Sequence, residues 1–100
     1  MDFEKEIYNN PNPVMVMVGA SYCPPCKFMK PLFAALKKEW ADRVPMFYLD
    51  VDDEGNKEFA QEHDVKSMPT FILFKENVEV ARLAGRQPER AMLELLAKAS

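Results

Sequence analysis

Residues 14–27 read VMVMVGASYCPPCK and join two different periodicities without a break. The stretch opens with five consecutive apolar residues bounded by Gly19, which is typical of a strand covered on both faces. Beyond Cys23 the apolar side chains follow helical spacing instead, at Met29, Leu32, Phe33, Leu36 and Trp40. The sequence therefore predicts a buried strand that leads directly into a long helix, with both cysteines at the junction.

The rest of the chain predicts a single α/β domain over residues 1–100. A short helix within Met1–Asn10 precedes the central stretch and is ended by a cluster of Asn and Pro residues. After the long helix we expect a strand over 44–51, a short helix over 56–63, strands over 70–74 and 78–84 joined by a tight turn, and a last helix that begins near Pro88. Because helices separate the first three strands, the sheet is expected to be mixed and covered on both faces.

Composition and charge exclude several classes of protein. The 100 residues carry a net charge of -3, with both signs mixed along the chain, which gives no positive surface for nucleic acid or anionic membranes. Residues 1–8 are acidic and lack the apolar core of a signal peptide, and no apolar run is long enough to cross a bilayer. Two cysteines are too few for a secreted disulfide scaffold. We therefore expect a cytoplasmic protein that binds neither nucleic acid nor membranes.

The spacing of Cys23 and Cys26 predicts dithiol–disulfide chemistry. At the start of a helix, unpaired N–H groups and the helix dipole stabilise a thiolate, so the first cysteine is the expected attacking group. The second lies about one turn further in, where it is less exposed but close enough to form a disulfide with the first. Two alternative hypotheses are that the cysteines bind zinc or that they hold an iron–sulfur cluster shared between two chains. One His and two Cys, however, do not complete a four-ligand zinc site.

The residues around the cysteines resemble the thioredoxin family. Residues 21–27 are similar to its Trp-Cys-Gly-Pro-Cys-Lys signature, and Pro31 falls where its long helix is kinked. Ser67-Met68-Pro69-Thr70 resembles its cis-proline loop, and Gly85 follows at the family's spacing. The resemblance covers roughly residues 14–98 and implies a thioredoxin fold, with a central four-stranded mixed sheet flanked by helices in the strand order second, first, third, fourth.

The resemblance also assigns roles to individual residues. It implies catalysis by Cys23 and Cys26, and a cis bond before Pro69 that leaves the Met68 backbone free to pair with an extended substrate segment. The substrate-binding residues would be Tyr22, Pro24, Met68 and Pro69, and the supporting residues Pro25, Lys27 and Gly85.

This chain departs from the family's pattern at several positions. The family's additional N-terminal edge strand is expected to be missing, because only 22 residues precede Cys23. Its buried Asp corresponds to Met17 and the accompanying lysine to Tyr48, so the thiol of Cys26 lacks its usual carboxylate. The Trp before the motif is Tyr22, an earlier Trp position is Gly19, and the Gly of the usual dipeptide is Pro24.

The sequence thus predicts a reductase of protein disulfides. We expect a monomer that needs no cofactor beyond its own Cys23–Cys26 pair, takes electrons from a thioredoxin-reductase-like donor and passes them to disulfide-containing proteins. Two alternatives remain open at this stage. One is a thiol oxidase or isomerase, and the other is an interaction module of the same fold in which the cysteines are incidental.

Overall fold

The computed structural model describes residues 1–100 and contains a short N-terminal π-helix at Glu4–Tyr8, four strands and three α-helices. The strands are β1 (Val14–Gly19), β2 (Met46–Asp50), β3 (Thr70–Lys75) and β4 (Val78–Ala84). The helices are α1 (Pro24–Trp40), α2 (Asn56–Glu62) and α3 (Glu89–Ala97). None of these helices combines the length and the apolar character needed to span a membrane.

The strands form one mixed sheet in the order β2-β1-β3-β4, which confirms the predicted order. β1 pairs parallel with β2 and antiparallel with β3, and β3 pairs antiparallel with β4. Both residues of the turn between β3 and β4, Glu76 and Asn77, have positive φ angles. Two such residues in succession match the twist of a tight hairpin.

β1 is buried along its whole length because helices cover both faces of the sheet. Its side chains alternate, so that Met15 and Met17 join one apolar cluster while Val14, Val16 and Val18 join the other. The first cluster contains residues of α1 and α3, and the second contains residues of α2 and the N-terminal π-helix. This two-sided burial explains the continuous apolar run in the sequence and fixes the strand that leads to the cysteines.

Apart from shifts of one residue at the ends of several elements, there are two differences from the sequence prediction. The N-terminal helix is a π-helix, with the N–H of Asn9 donating to the carbonyl of Glu4 at 2.7 Å. β2 begins at Met46 instead of residue 44, because the N–H of Val44 still donates to the carbonyl of Trp40 at 2.8 Å and closes the turn after α1.

Candidate active site

Cys23 occupies the N-cap of α1, immediately after the turn that follows β1. Its backbone is extended, as N-cap geometry requires, and the Cys26 N–H donates to its sulfur at 3.3 Å. Pro24 and Pro25 fill the first two helical positions, where the fixed φ of proline suits the helix but no N–H is available. The sulfur of Cys23 therefore lies at the positive end of the helix with one backbone donor.

The two cysteines differ in exposure. Cys23 is 9% exposed, whereas Cys26 is fully buried in the cluster between the sheet, α1 and α3. Burial raises the pKa of the Cys26 thiol to about 11, a shift to which the hydrogen bond with Cys23 adds and which the charge of Lys30 opposes. Both residues are free thiols.

The loop before β3 lies against the cysteines. The Met68–Pro69 peptide bond is cis, and the Cys23 thiol donates to the carbonyl of Met68 at 3.6 Å. Gly85 supports the loop from the end of β4, since its N–H donates to the carbonyl of Pro69 at 2.7 Å. Gly85 has a φ of 82°, a left-handed conformation that strains residues with a Cβ. Segments distant in sequence thus meet at one thiol.

Three of the predicted site residues, Tyr22, Pro24 and Lys27, are exposed near the start of α1. Tyr22 is 71% exposed and, with Met68, lines a groove of about 310 Å³ that extends towards α2. Pro24 is exposed at the tip of α1, and Lys27 lies exposed on the first turn of the same helix. No group of three or more His, Cys, Asp or Glu side chains is placed to hold a metal ion.

The sequence did not single out three residues near the site as functional, namely Phe28, Lys30 and Arg86. Phe28 is 62% exposed beside the motif, and the guanidinium of Arg86 lies 4.3 Å from its ring centre. Lys30 follows Cys26 by four residues, a spacing that brings side chains to the same helix face and that could have indicated it. Its ammonium lies 4.5 Å from the centre of the Tyr48 ring.

Comparison with known proteins agrees with this geometry. The family model described as Thioredoxin matches residues 1–98. The chain belongs to the thioredoxin family. A thioredoxin of Mycolicibacterium smegmatis is 33% identical over 97 residues, which cover 97% of this chain and 87% of the relative.

Solved thioredoxin structures superpose on most of this chain. The thioredoxin of Fasciola hepatica gives a TM-score of 0.82 at 33% identity, covering 92% of this chain and 85% of the other. That of Malassezia sympodialis gives 0.85 at 26% identity, covering 99% and 85%. Together these relatives confirm the thioredoxin fold and a thiol–disulfide oxidoreductase activity.

Proposed function

We propose that the chain reduces disulfides of other proteins, with Cys23 as the attacking thiol and Cys26 as the resolving one. The observation that carries this assignment is the asymmetry of the pair. Cys23 keeps 9% of its surface exposed at the N-terminus of α1, whereas Cys26 is fully buried behind it. An incoming disulfide can reach the first sulfur, and the second is close enough to complete the exchange.

The reaction has two steps. The thiolate of Cys23 attacks one sulfur of the substrate disulfide, forms a mixed disulfide and releases the other substrate sulfur as a thiolate. The thiolate of Cys26 then attacks the Cys23 sulfur, so that the Cys23–Cys26 bond forms and the second substrate sulfur leaves. Two electrons pass from the protein dithiol to the substrate disulfide, and each departing thiolate takes up a proton from water.

The groove beside the thiol supports binding of an extended protein segment. Tyr22 offers an exposed aromatic wall, and Met68 presents its backbone next to the Cys23 sulfur. A segment that pairs with backbone atoms is accepted with little dependence on its sequence. In this proposal Pro24 and Pro69 belong to the substrate-binding surface, whereas Pro25, Lys27 and Gly85 support it.

The wider setting belongs to the same proposal. The protein acts in the cytoplasm as a monomer of one domain, where disulfides are kept reduced. It uses no cofactor besides its dithiol, and a reductase of the thioredoxin-reductase class regenerates that dithiol after each turnover.

A trapping experiment tests the roles of the two cysteines. With oxidised insulin as the substrate, Cys26→Ser should accumulate a mixed disulfide visible on a non-reducing gel, because the resolving thiol is gone. Cys23→Ser is the matched control and should accumulate none. A reversed pattern would exchange the two roles. Insulin reduction by the wild type and not by Cys23→Ser would separate an oxidoreductase from an interaction module of the same fold.

A further inference from the structure

The hydroxyl of Tyr48 is buried and has no hydrogen-bond partner. Buried hydroxyl groups are rarely left in this state, because losing water without a replacement partner costs free energy. Tyr48 lies on β2, beside β1, and its ring packs against the cluster that contains Cys26. An unpaired buried donor at this place requires an explanation.

The hydroxyl and the Cys26 sulfur converge on the open side of Gly19. A Cβ built on this glycine would lie 3.1 Å from the Tyr48 oxygen and 3.2 Å from the Cys26 sulfur. Both atoms therefore border the same small space, which any residue other than glycine would fill. The oxygen does not bond to the sulfur in the dithiol state, and a movement of either side chain into the space beside Gly19 brings the two atoms closer.

Resolution places a negative charge on Cys26 within an apolar environment. The neighbouring buried side chains of this cluster include Met17, Met29 and Phe71, none of which can donate a hydrogen bond. Burial opposes ionisation there and raises the pKa of Cys26 to about 11, although a hydrogen bond from the Ala20 backbone acts in the opposite direction. A second donor stabilises the charge further as it develops.

We propose that the Tyr48 hydroxyl donates a hydrogen bond to the Cys26 sulfur as this thiol becomes the attacking thiolate, which makes Tyr48 a catalytic residue of the resolution step. This inference rests on the function proposed above. The Cys26 proton passes to solvent, the Cys23–Cys26 bond forms, and the Cys23–substrate bond breaks. The substrate sulfur leaves with the electron pair of the broken bond and takes up a proton from water.

The charge of Lys30 and the groove beside it favour donation of a hydrogen bond by the Tyr48 hydroxyl to the Cys26 sulfur. The Lys30 ammonium lies 4.5 Å from the ring centre, and a cation there favours partial negative charge on the phenol oxygen and on the thiolate beyond it. A groove of about 320 Å³, lined by Lys30, Phe33, Ala34, Lys37 and Tyr48, brings solvent to the outer face of the ring. Burial, chiefly, raises the pKa of Tyr48 to about 12, so the hydroxyl keeps the proton that it must donate at neutral pH.

Ellman's reagent separates the two steps in one experiment. Attack by Cys23 releases a first nitrothiobenzoate and resolution by Cys26 a second, so that each appears as its own absorbance phase. In Tyr48→Phe the first phase should be unchanged and the second slowed roughly tenfold near pH 7, the effect of one lost hydrogen bond to a charged sulfur. Tyr8→Phe, which removes a hydroxyl far from the dithiol, is the matched control and should leave both phases unchanged.

The outcomes separate this proposal from the function on which it rests. A wild type without a first phase would refute the attacking role of Cys23, whatever Tyr48 does. A normal second phase in Tyr48→Phe between about pH 6 and 9 would overturn the role of Tyr48. Lys30→Gln changes only an exposed side chain and provides an independent test. It should slow the second phase by about two- to threefold, the loss expected from one partly screened charge, and an unchanged second phase would also count against the proposal.

Discussion

At the scale of single residues, Gly19 determines how the interior behind the dithiol is packed. Its missing side chain lets the Tyr48 ring lie against β1, with Cε1 3.0 Å from the position that a Cβ would take. Such a distance is shorter than ordinary contact between carbon atoms, so a methyl group would have to displace Tyr48 or Cys26. The absence of a side chain at Gly19 thus lets a side chain of β2 pack directly against β1, the strand that leads to the motif.

We predict that Gly19→Ala lowers the free energy of unfolding by about 1–3 kcal/mol, the usual cost of adding a methyl group to a packed site. Urea denaturation measures this loss. In the Tyr48→Phe background the same substitution should cost less, because the displaced hydroxyl is absent and the ring can shift more easily. Equal costs in both backgrounds would mean that the methyl group does not press on the Tyr48 hydroxyl.

The sequence identified some of these residues and not others for a physical reason. Cys23, Cys26 and the Met68–Pro69 loop belong to local motifs, whose residue types can be read within a few positions of one another. The importance of Tyr48 depends on its contact with Gly19 and Cys26 across two strands and a helix, which no local spacing encodes. The sequence therefore indicated that the Cys26 thiol lacks a carboxylate and that Tyr48 takes the place of the accompanying lysine, but not that the Tyr48 hydroxyl and the Cys26 sulfur border the same space.

At the scale of elements, the N-terminal π-helix is attached to α2 by aromatic side chains and one polar contact. The hydroxyl of Tyr8 and Nε2 of His63 are 2.6 Å apart, and the ring centres of Phe3 and Tyr8 lie 4.9 Å and 6.4 Å from that of Phe59. The sequence predicted a helix at both places. It could not distinguish a π-helix from an α-helix, because the two differ by one residue in hydrogen-bond register.

His63 should make stability depend on pH. Burial lowers its pKa below 6.5, although the charges of Glu62 and Glu79 oppose this shift. The folded state therefore favours the neutral ring, so His63 contributes stability above about pH 6.5 that is lost as the pH falls through and below this value. We expect the urea midpoint of the wild type to fall more steeply between about pH 7 and 5 than that of His63→Gln. Parallel pH profiles would show that other groups cause the decline.

At the scale of the whole molecule, the reduction potential is set by the difference in free energy between the dithiol and disulfide forms. In the dithiol form the Cys23 sulfur accepts from the N–H of Cys26, whereas Pro24 and Pro25 have no N–H to offer. Fewer donors stabilise the thiolate less, which favours the disulfide and lowers the potential. We therefore expect a reducing protein, nearer the roughly -270 mV of thioredoxin than the roughly -180 mV of protein disulfide isomerase.

Replacing one proline tests this argument, since an N-cap side chain accepts from the second and third helical N–H groups but not from the first. Pro25→Ala restores the second N–H and should raise the potential by tens of millivolts, because a hydrogen bond to a charged group of about 1.5–3 kcal/mol corresponds to about 30–60 mV. Pro24→Ala restores only the first N–H and is the matched control. Equilibration with glutathione measures the reduction potential of the wild type and of both variants. If both variants shift the potential equally, stiffness of the turn determines it and the number of donors does not.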